Sequence, residues 1–179
     1  GCAGALIGIF IPIYLLTLGK SLTEVMLFMT VHNIVLFTAT FAVVFASNKI
    51  GLIRTLWIRF GFLFLYLSLL YLLQTKSGFP IYFVAIVGGI EAAFYWIPLN
   101  ILFTRYAETK TMAKQMSKFF VFPEAAGLFA PLIGGLIAAT FGFPVLFIFA
   151  FVINISAVWF LKGLRKEKTA FEFSLIRQQ

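Results

Sequence analysis

Six apolar stretches divide the chain, and short breaks that contain polar residues or glycine separate them. Each stretch is a nearly unbroken apolar run rather than an alternation of apolar and polar positions, which predicts helices and argues against a β-barrel. A helix that crosses about 30 Å of hydrocarbon needs roughly 20 such residues. The stretches run from about Ala3 to Leu18, Val25 to Ala46, Leu56 to Leu73, Pro80 to Phe103, Phe119 to Thr140 and Phe143 to Leu161.

The breaks between the stretches are short, so neighbouring helices are expected to run antiparallel. The breaks are Gly19–Ser21, Ser47–Lys49, Thr75–Gly78 and Phe141–Pro144. One connection, from Thr104 to Lys118, is long enough to form a loop with its own structure. The sequence therefore predicts an all-α membrane protein of six transmembrane helices.

The start of the chain is the shortest apolar stretch, and residue 1 is Gly rather than Met. No charged leader or cleavage pattern precedes the apolar residues, as a signal peptide would require. We expect that N-terminal residues of the first span are missing.

The composition agrees with a lipid environment. Hydrophobic residues make up 62% of the chain, charged residues 11%, and the mean hydropathy is +1.04. Soluble domains are roughly a quarter charged. A chain this apolar has too little polar surface to face water, so we expect the lipid bilayer to be its solvent.

Basic residues give the orientation, because Lys and Arg concentrate in cytoplasmic loops. All but two of the 14 basic residues fall in the second and fourth connections and the tail, and Lys20 and Lys76 are the exceptions. The even-numbered connections and both termini are therefore expected on the cytoplasmic side of the cell membrane, which is the inner or plasma membrane. This placement explains the net charge of +8 without a nucleic-acid partner.

Conventional catalytic and metal-binding patterns are missing from the sequence. It has one His, one Cys and no Asp, and it lacks the H-E-x-x-H, G-x-S-x-G and phosphate-loop motifs. We expect no enzyme activity, no metal and no cofactor.

Glu91 is the deepest carboxyl, near the middle of the fourth span. Helical spacing places Gly88, Glu91, Tyr95 and Pro98 on one face. Burial favours the neutral carboxyl, which suits reversible protonation. The functional reading is an ion-coupling or substrate-contact group, and the alternative is a neutral acid that hydrogen-bonds a neighbouring helix.

His32 and Asn33 lie at a comparable depth in the second span. Because imidazole exchanges a proton near neutral pH, a relay between His32 and Glu91 is one hypothesis. The alternative is a structural hydrogen bond between helices.

Other polar and aromatic residues in the spans have simpler expected roles. Asn100 and Asn154 are expected to hydrogen-bond between helices, and Arg59 to reach the membrane interface. Glu124 is expected to pair with Arg59 or Lys118. Tyr95 and Trp96 are candidates for lining a cavity, with packing as the alternative.

A concentration of small residues and proline lies in the fifth span. Gly127, Pro131, Gly134 and Gly135 predict a close helix crossing there. A hinge is an optional addition to that packing role.

Several of these segments resemble the major facilitator superfamily of transporters. The loop from Ser47 to Arg54 is similar to its G-x-x-x-D-[RK]-x-G-[RK]-[RK] motif, and the matching positions are Lys49, Gly51 and Arg54. Asn48 stands at the family's Asp, so the charge–helix-dipole latch made by that Asp is not carried over. Val44 replaces the leading Gly, and Leu52 and Ile53 replace two basic residues.

Three further segments carry the same resemblance. The run Gly88–Asn100 is similar to the family's small-residue stretch that ends in aromatic-x-Pro-x-Asn. The run Ala130–Gly135 is similar to its G-P-x-x-G-G stretch, with Ala130 at the first Gly. The start, Ile9–Ser21, resembles the first span and its exit.

The resemblance implies two inverted three-helix repeats that form one half of a twelve-helix transporter. Residues 1–162 would be the six-helix bundle and residues 163–179 a basic tail or the start of the linker between halves. The other half, or a second copy, would be the partner, and spans one and four would contribute to a central cavity.

The function expected from these patterns is secondary transport of a small solute by alternating access, with proton coupling through Glu91 as a hypothesis. One alternative is a structural or receptor-like membrane subunit with the same fold that does not transport. A less favoured alternative is a membrane-embedded enzyme that modifies lipids.

Overall fold

The computed structural model describes residue 8 and residues 10–75, 80–106 and 112–161. These residues form helices and short turns, with no strand among them. The six helices are α1 (Phe10–Thr17), α2 (Leu22–Ile50), α3 (Leu52–Thr75), α4 (Ile81–Tyr106), α5 (Met112–Phe141) and α6 (Phe143–Leu161). The predicted all-α class is confirmed for this part of the chain.

Three of the helix ends have clear local causes. Ser21 caps α2 in a capping box: its side chain accepts from the Glu24 N–H, and the Glu24 carboxylate accepts from the Ser21 N–H at 2.8 Å. Single glycines at positive φ, Gly51 at +91° and Gly142 at +83°, end α2 and α5. Other residues adopt such a φ only with strain, so glycine permits these one-residue breaks.

Two predicted boundaries were wrong. Residues Ser47–Lys49 are helical, and the break falls at Gly51, where the chain reaches positive φ. The segment Thr104–Lys118 is not one loop, because α4 continues to Tyr106 and α5 begins at Met112. The rest of that loop, most of the break Thr75–Gly78 and the tail 163–179 lie outside the described residues.

Three described helices are long and apolar enough to cross a membrane, judged by length and composition: Leu22–Ile50, Leu52–Thr75 and Ile81–Thr104. Two shorter apolar helical segments are Gly127–Phe141 and Phe143–Ser156. Large apolar side chains such as Leu128 and Phe37 are 76% and 67% exposed. Lipid accommodates such surfaces, whereas water does not.

The main core is formed by side chains of α1, α2, α3, α4 and α6, and Tyr14 is one of its most buried members. The Tyr14 hydroxyl donates to the Leu70 carbonyl oxygen at 2.7 Å. Its ring contacts Phe143 and Phe147 with centroid separations of 5.0 and 5.1 Å. A buried hydroxyl thus has its acceptor, and one aromatic residue joins three helices.

Helices α2 and α4 cross at Gly88 and Gly89. A Cβ at Gly89 would lie 2.6 Å from the His32 carbonyl oxygen, and a Cβ at Gly88 would lie 2.6 Å from the Tyr66 ring. The missing side chains therefore let the two helix backbones approach each other directly.

Gly134 and Gly135, predicted to permit a close helix crossing in the fifth span, lie against an aromatic side chain of α1. A Cβ there would overlap the Phe10 ring of α1, and the same ring lies 3.9 Å from a Cβ placed on Gly135. Pro131 is within the continuous helix α5. The absence of side chains at the two glycines thus leaves space for the Phe10 ring of α1.

We expect Gly89→Ala to destabilise the protein by about 1–3 kcal/mol, because the new methyl group meets a backbone carbonyl that cannot rotate away. The matched control is Gly61→Ala in α3, where a Cβ meets nothing within 4 Å. This control is expected to be neutral or stabilising by up to about 1 kcal/mol. Thermal unfolding in detergent measures both, and equal melting temperatures would contradict the tight crossing.

Candidate functional site

A buried ion pair joins α3 to α4. The Arg59 Nε–H donates to the Glu91 Oε1 at 2.6 Å, and the two side chains are 10% and 13% exposed. Arg59 belongs to the buried face of α3, whose members recur every three or four residues. That face contains Leu52, Leu56, Arg59, Leu63, Tyr66, Leu70 and Leu73.

Asn154 extends this pair to α6. The Arg59 Nη2–H donates to the Asn154 Oδ1 at 2.9 Å, and the Asn154 amide donates to the Ala150 carbonyl oxygen at 2.9 Å. The predicted interhelical role of Asn154 is confirmed. The intrahelical bond fixes the amide so that its oxygen faces the guanidinium.

Aromatic rings complete the surroundings of the guanidinium. The Arg59 Cζ lies 4.1 Å from the centroid of the Tyr95 ring and 5.5 Å from that of Phe60. Such cation–π contacts contribute about 2 kcal/mol when the cation is desolvated. Arg59 is therefore held by a carboxylate, an amide oxygen and an aromatic face.

These contacts offset the large free-energy cost of burying the two charged groups. Transfer of a charged group from water to a protein interior costs several kcal/mol per ion, even after relaxation. A short hydrogen bond between opposite charges, together with further polar contacts, is the geometry that compensates it. Removal of one partner would leave the other charge without compensation.

The structure corrects the prediction about the position of Arg59. Arg59 is buried at 8% exposure, so the expectation that it reaches the membrane interface was wrong. Among the described side chains its carboxylate partner is Glu91, and the pairing expected for Glu124 lies outside the described residues. Glu91 was predicted as a coupling group with His32 as a possible relay partner, and the sequence reasoning did not foresee its ion pair with Arg59.

His32 and Tyr66 lie against Gly88, one turn before Glu91. A Cβ on Gly88 would lie 3.0 Å from the His32 Nδ1 and 2.6 Å from the Tyr66 ring. The structure thus brings His32 and Tyr66 together at Gly88, three residues before Glu91 on α4.

Three other candidates lie apart from this region. Asn33 donates to the Met29 carbonyl oxygen at 2.7 Å, and Asn100 to the Trp96 carbonyl oxygen at 2.8 Å, both within one helix. Among the described residues no interhelical hydrogen bond of Asn100 is seen, so its predicted interhelical role stays a prediction. The Trp96 ring is 43% exposed and packs edge-on against Tyr95 at 5.1 Å.

The motif residues between α2 and α3 have structural contacts. Gly51 donates its N–H to the Ser47 carbonyl oxygen at 3.0 Å as the cap of α2. The Lys49 ammonium lies 4.5 Å from the Phe45 ring centroid, and the Arg54 side chain is exposed, while Asn48 is partly buried.

Tyr66 is the functional candidate that the sequence reasoning missed. The sequence spacing could have identified it, because Tyr66 lies seven residues after Arg59 on the buried face of α3. The sequence has many aromatic residues, so Tyr66 did not stand out from those that only pack. Among the described residues, no group of three or more His, Cys, Asp or Glu side chains could hold a metal ion.

We expect Glu91→Gln to destabilise the protein by about 3–5 kcal/mol, because it leaves the Arg59 charge buried and unpaired. Arg59→Met is expected to cost less, since the carboxyl of Glu91 can take up a proton, whereas a guanidinium cannot lose one. The double variant should recover much of the loss. Thermal unfolding of all four proteins provides the test, and additive effects would show that the two side chains do not interact.

Comparison with known proteins identifies a family. The family model described as Major Facilitator Superfamily matches residues 1–174. Comparison with curated proteins and with solved structures gave no match. Members of this family are transporters rather than enzymes. Since the match covers nearly all of the 179 residues, the chain belongs to the major facilitator superfamily.

Proposed function

We propose that this chain forms the N-terminal half of a secondary transporter that moves a small solute by alternating access. The observation that carries the proposal is the family match over residues 1–174. Transporters of this family rock two six-helix halves around a site near the middle of the membrane. The long apolar helices α2, α3 and α4 agree with a membrane location.

The proposed architecture has six spans in two inverted three-helix repeats, with both termini cytoplasmic in the inner or plasma membrane. Its partner is a C-terminal six-helix half or a second copy. Apolar side chains on the outer faces of α2 and α5 support a further apolar partner, either lipid or protein. They include Leu22, Met26, Phe37, Phe41, Leu128, Leu132 and Leu136.

Within this transporter, we assign the coupling role to Glu91 through its ion pair. A proton on Glu91 would remove the charge that holds Arg59, so proton uptake and the position of Arg59 are linked. Because the pair joins α3, α4 and α6, that link reaches three helices. The solute itself would contact other residues, since Glu91 faces the interior of this half.

A structural subunit that does not transport is the second candidate function. The same ion pair would serve there as a permanent clamp, and buried pairs of this kind occur for structural reasons alone. Transport measurements separate the two functions.

The orientation is tested by cysteine labelling in a background whose native cysteines, including Cys2, are replaced. We expect Lys20→Cys, at the exposed turn before α2, to react with a membrane-impermeant maleimide on intact cells. Arg54→Cys should react only after the cells are permeabilised, because the basic connection faces the cytoplasm. The reverse labelling pattern would contradict the proposed topology.

Transport is tested with the protein from the complete reading frame, reconstituted in proteoliposomes and offered labelled sugars, amino acids, carboxylates and organic cations. We expect accumulation of at least one class above that of empty vesicles, and stimulation by an imposed pH gradient. Glu91→Gln should abolish this stimulation, because an amide cannot exchange the proton. Rates are normalised to folded protein, since the variant is also expected to be less stable.

The matched control is Glu24→Gln, which replaces the exposed acid in the capping box and leaves the interior unchanged. It should retain the dependence on the pH gradient. Full dependence in Glu91→Gln would exclude proton coupling through Glu91. Accumulation equal to that of empty vesicles for every class would favour the structural subunit.

A further inference from the structure

The Arg59 guanidinium is divided between two acceptors that differ in chemistry. An arginine–carboxylate pair is frequently bidentate, with two parallel N–H groups on one carboxylate. Here the Glu91 carboxylate accepts from the Arg59 Nε–H at 2.6 Å, and the Asn154 Oδ1 accepts from an Nη2–H at 2.9 Å. The two acceptors therefore hold different N–H groups of one cation at the same time. One acceptor can take up a proton, and the other is a neutral amide.

The Asn154 amide is fixed in the orientation that this contact needs. Its Nδ2–H donates to the Ala150 carbonyl oxygen, one turn earlier in α6, at 2.9 Å. That bond assigns the amide nitrogen to the backbone, so the amide oxygen is the atom that faces Arg59. Asn154 and Arg59 are each 8% exposed. The solvent therefore offers little replacement for this oxygen.

Protonation of Glu91 would change the net charge of the pair from zero to plus one. A hydronium ion gives its proton to a Glu91 carboxylate oxygen and leaves as water, while Arg59 keeps its own proton and its charge. A neutral carboxyl group is a weaker acceptor for a cation than a carboxylate is. The Asn154 oxygen then remains as the other hydrogen-bond acceptor that the described residues provide for Arg59.

We propose that Asn154 is a positioning residue for the coupling step: it takes over the Arg59 guanidinium when Glu91 is protonated, and it thereby sets the pH at which Glu91 accepts its proton. The inference rests on the coupling role proposed for Glu91. Asn154 does not contact the transferred proton and acts through Arg59. Because Asn154 lies on α6 and Glu91 on α4, proton uptake passes the main contact of the guanidinium from one helix to another.

The charged and titratable groups around Glu91 come from helices other than α6, within the described part of the chain. α6 faces the ion pair with the neutral amide of Asn154. A substitution at Asn154 therefore changes the second acceptor of Arg59 and leaves the titratable groups in place. Those groups are Arg59 and Tyr66 on α3, Tyr95 on α4, and His32 on α2, which lies against Gly88 one turn before Glu91.

The test measures the pH midpoint at which the carboxyl band of Glu91 appears in infrared difference spectra of the reconstituted full-length protein. The band is assigned in each protein by its loss when Glu91→Gln is added. Asn154→Leu keeps a similar side-chain size and removes the amide oxygen. We expect it to move the midpoint to lower pH by about one unit, because protonation then leaves Arg59 without its second acceptor. Such a shift is the roughly tenfold change in proton affinity expected for one hydrogen bond to a charged group.

Two further variants complete the test. Ser156→Ala is the matched control on α6, because Ser156 is exposed and donates within its own helix to the Ile153 carbonyl oxygen at 2.8 Å. Its midpoint should equal that of the wild type. Asn154→Asp retains an oxygen beside Arg59 and adds a negative charge. We expect its midpoint to move to higher pH, since Arg59 keeps a counter-charge after Glu91 is protonated and the two carboxylates repel each other.

Asn154→Leu decides the proposal wherever that variant folds. A lowered midpoint supports the positioning role. An unchanged or raised midpoint overturns it and leaves the coupling role of Glu91 intact, because a merely structural contact contributes equally to both protonation states. If Asn154→Leu does not fold, Asn154→Asp decides: a raised midpoint supports the role, and an unchanged or lowered midpoint overturns it. A Glu91 band that appears at no pH in the wild type overturns the coupling role as well, while transport itself is decided by the vesicle assay.

Discussion

The buried guanidinium of Arg59 is the constraint around which this bundle is arranged. Lipid cannot solvate a cation, and arginine does not give up its proton at any physiological pH. The charge must therefore find its compensation inside the protein. Three helices supply it: α4 contributes the Glu91 carboxylate and the Tyr95 ring, α6 contributes the Asn154 oxygen, and α3 holds Arg59 itself. A shift of any one of them by a turn would leave a charge or an amide without its partner.

Packing and polar contacts make different contributions to the arrangement. The glycine pairs at Gly88–Gly89 and Gly134–Gly135 allow close approach, of α2 to α4 and of the Phe10 ring to α5. Such contacts depend on dispersion and on the absence of a side chain at each glycine. The hydrogen bonds of Arg59 are directional and fix the register of α3 against α4 and α6. In the proposed two-repeat arrangement, they also connect the first three helices to the last three.

Much of the fold was predictable from the sequence, because apolar runs and glycine breaks act locally. The predicted helices are present where the structure describes them, and the close contacts at Gly88–Gly89 and Gly134 occur at small residues, which helices need for close approach. The site was less predictable. Arg59 lies close to a basic connection, and a count of loop charges assigned it to the interface, although its three- and four-residue spacing with Leu56 and Leu63 marks the buried face. Asn100 was expected to form a hydrogen bond to another helix. The side-chain amide of a helical residue can instead donate to the backbone carbonyl of the residue four positions earlier, which here is Trp96.

The ion pair is also the reason why Glu91 is suited to the proposed coupling role rather than to permanent ionisation. In the proposed coupling, the Glu91 carboxylate either keeps its pairing with Arg59 or takes a proton. In the second state Arg59 loses its counter-charge, and the Asn154 oxygen and the Tyr95 ring become its remaining favourable contacts. Those two groups lie on α6 and α4, so the cation would be drawn along the helix interface rather than released into lipid. A neutral residue at position 59 would break this link, since proton uptake by Glu91 would then change no other contact. In the proposed mechanism, Arg59 would therefore convert a protonation event at one side chain into a force between helices.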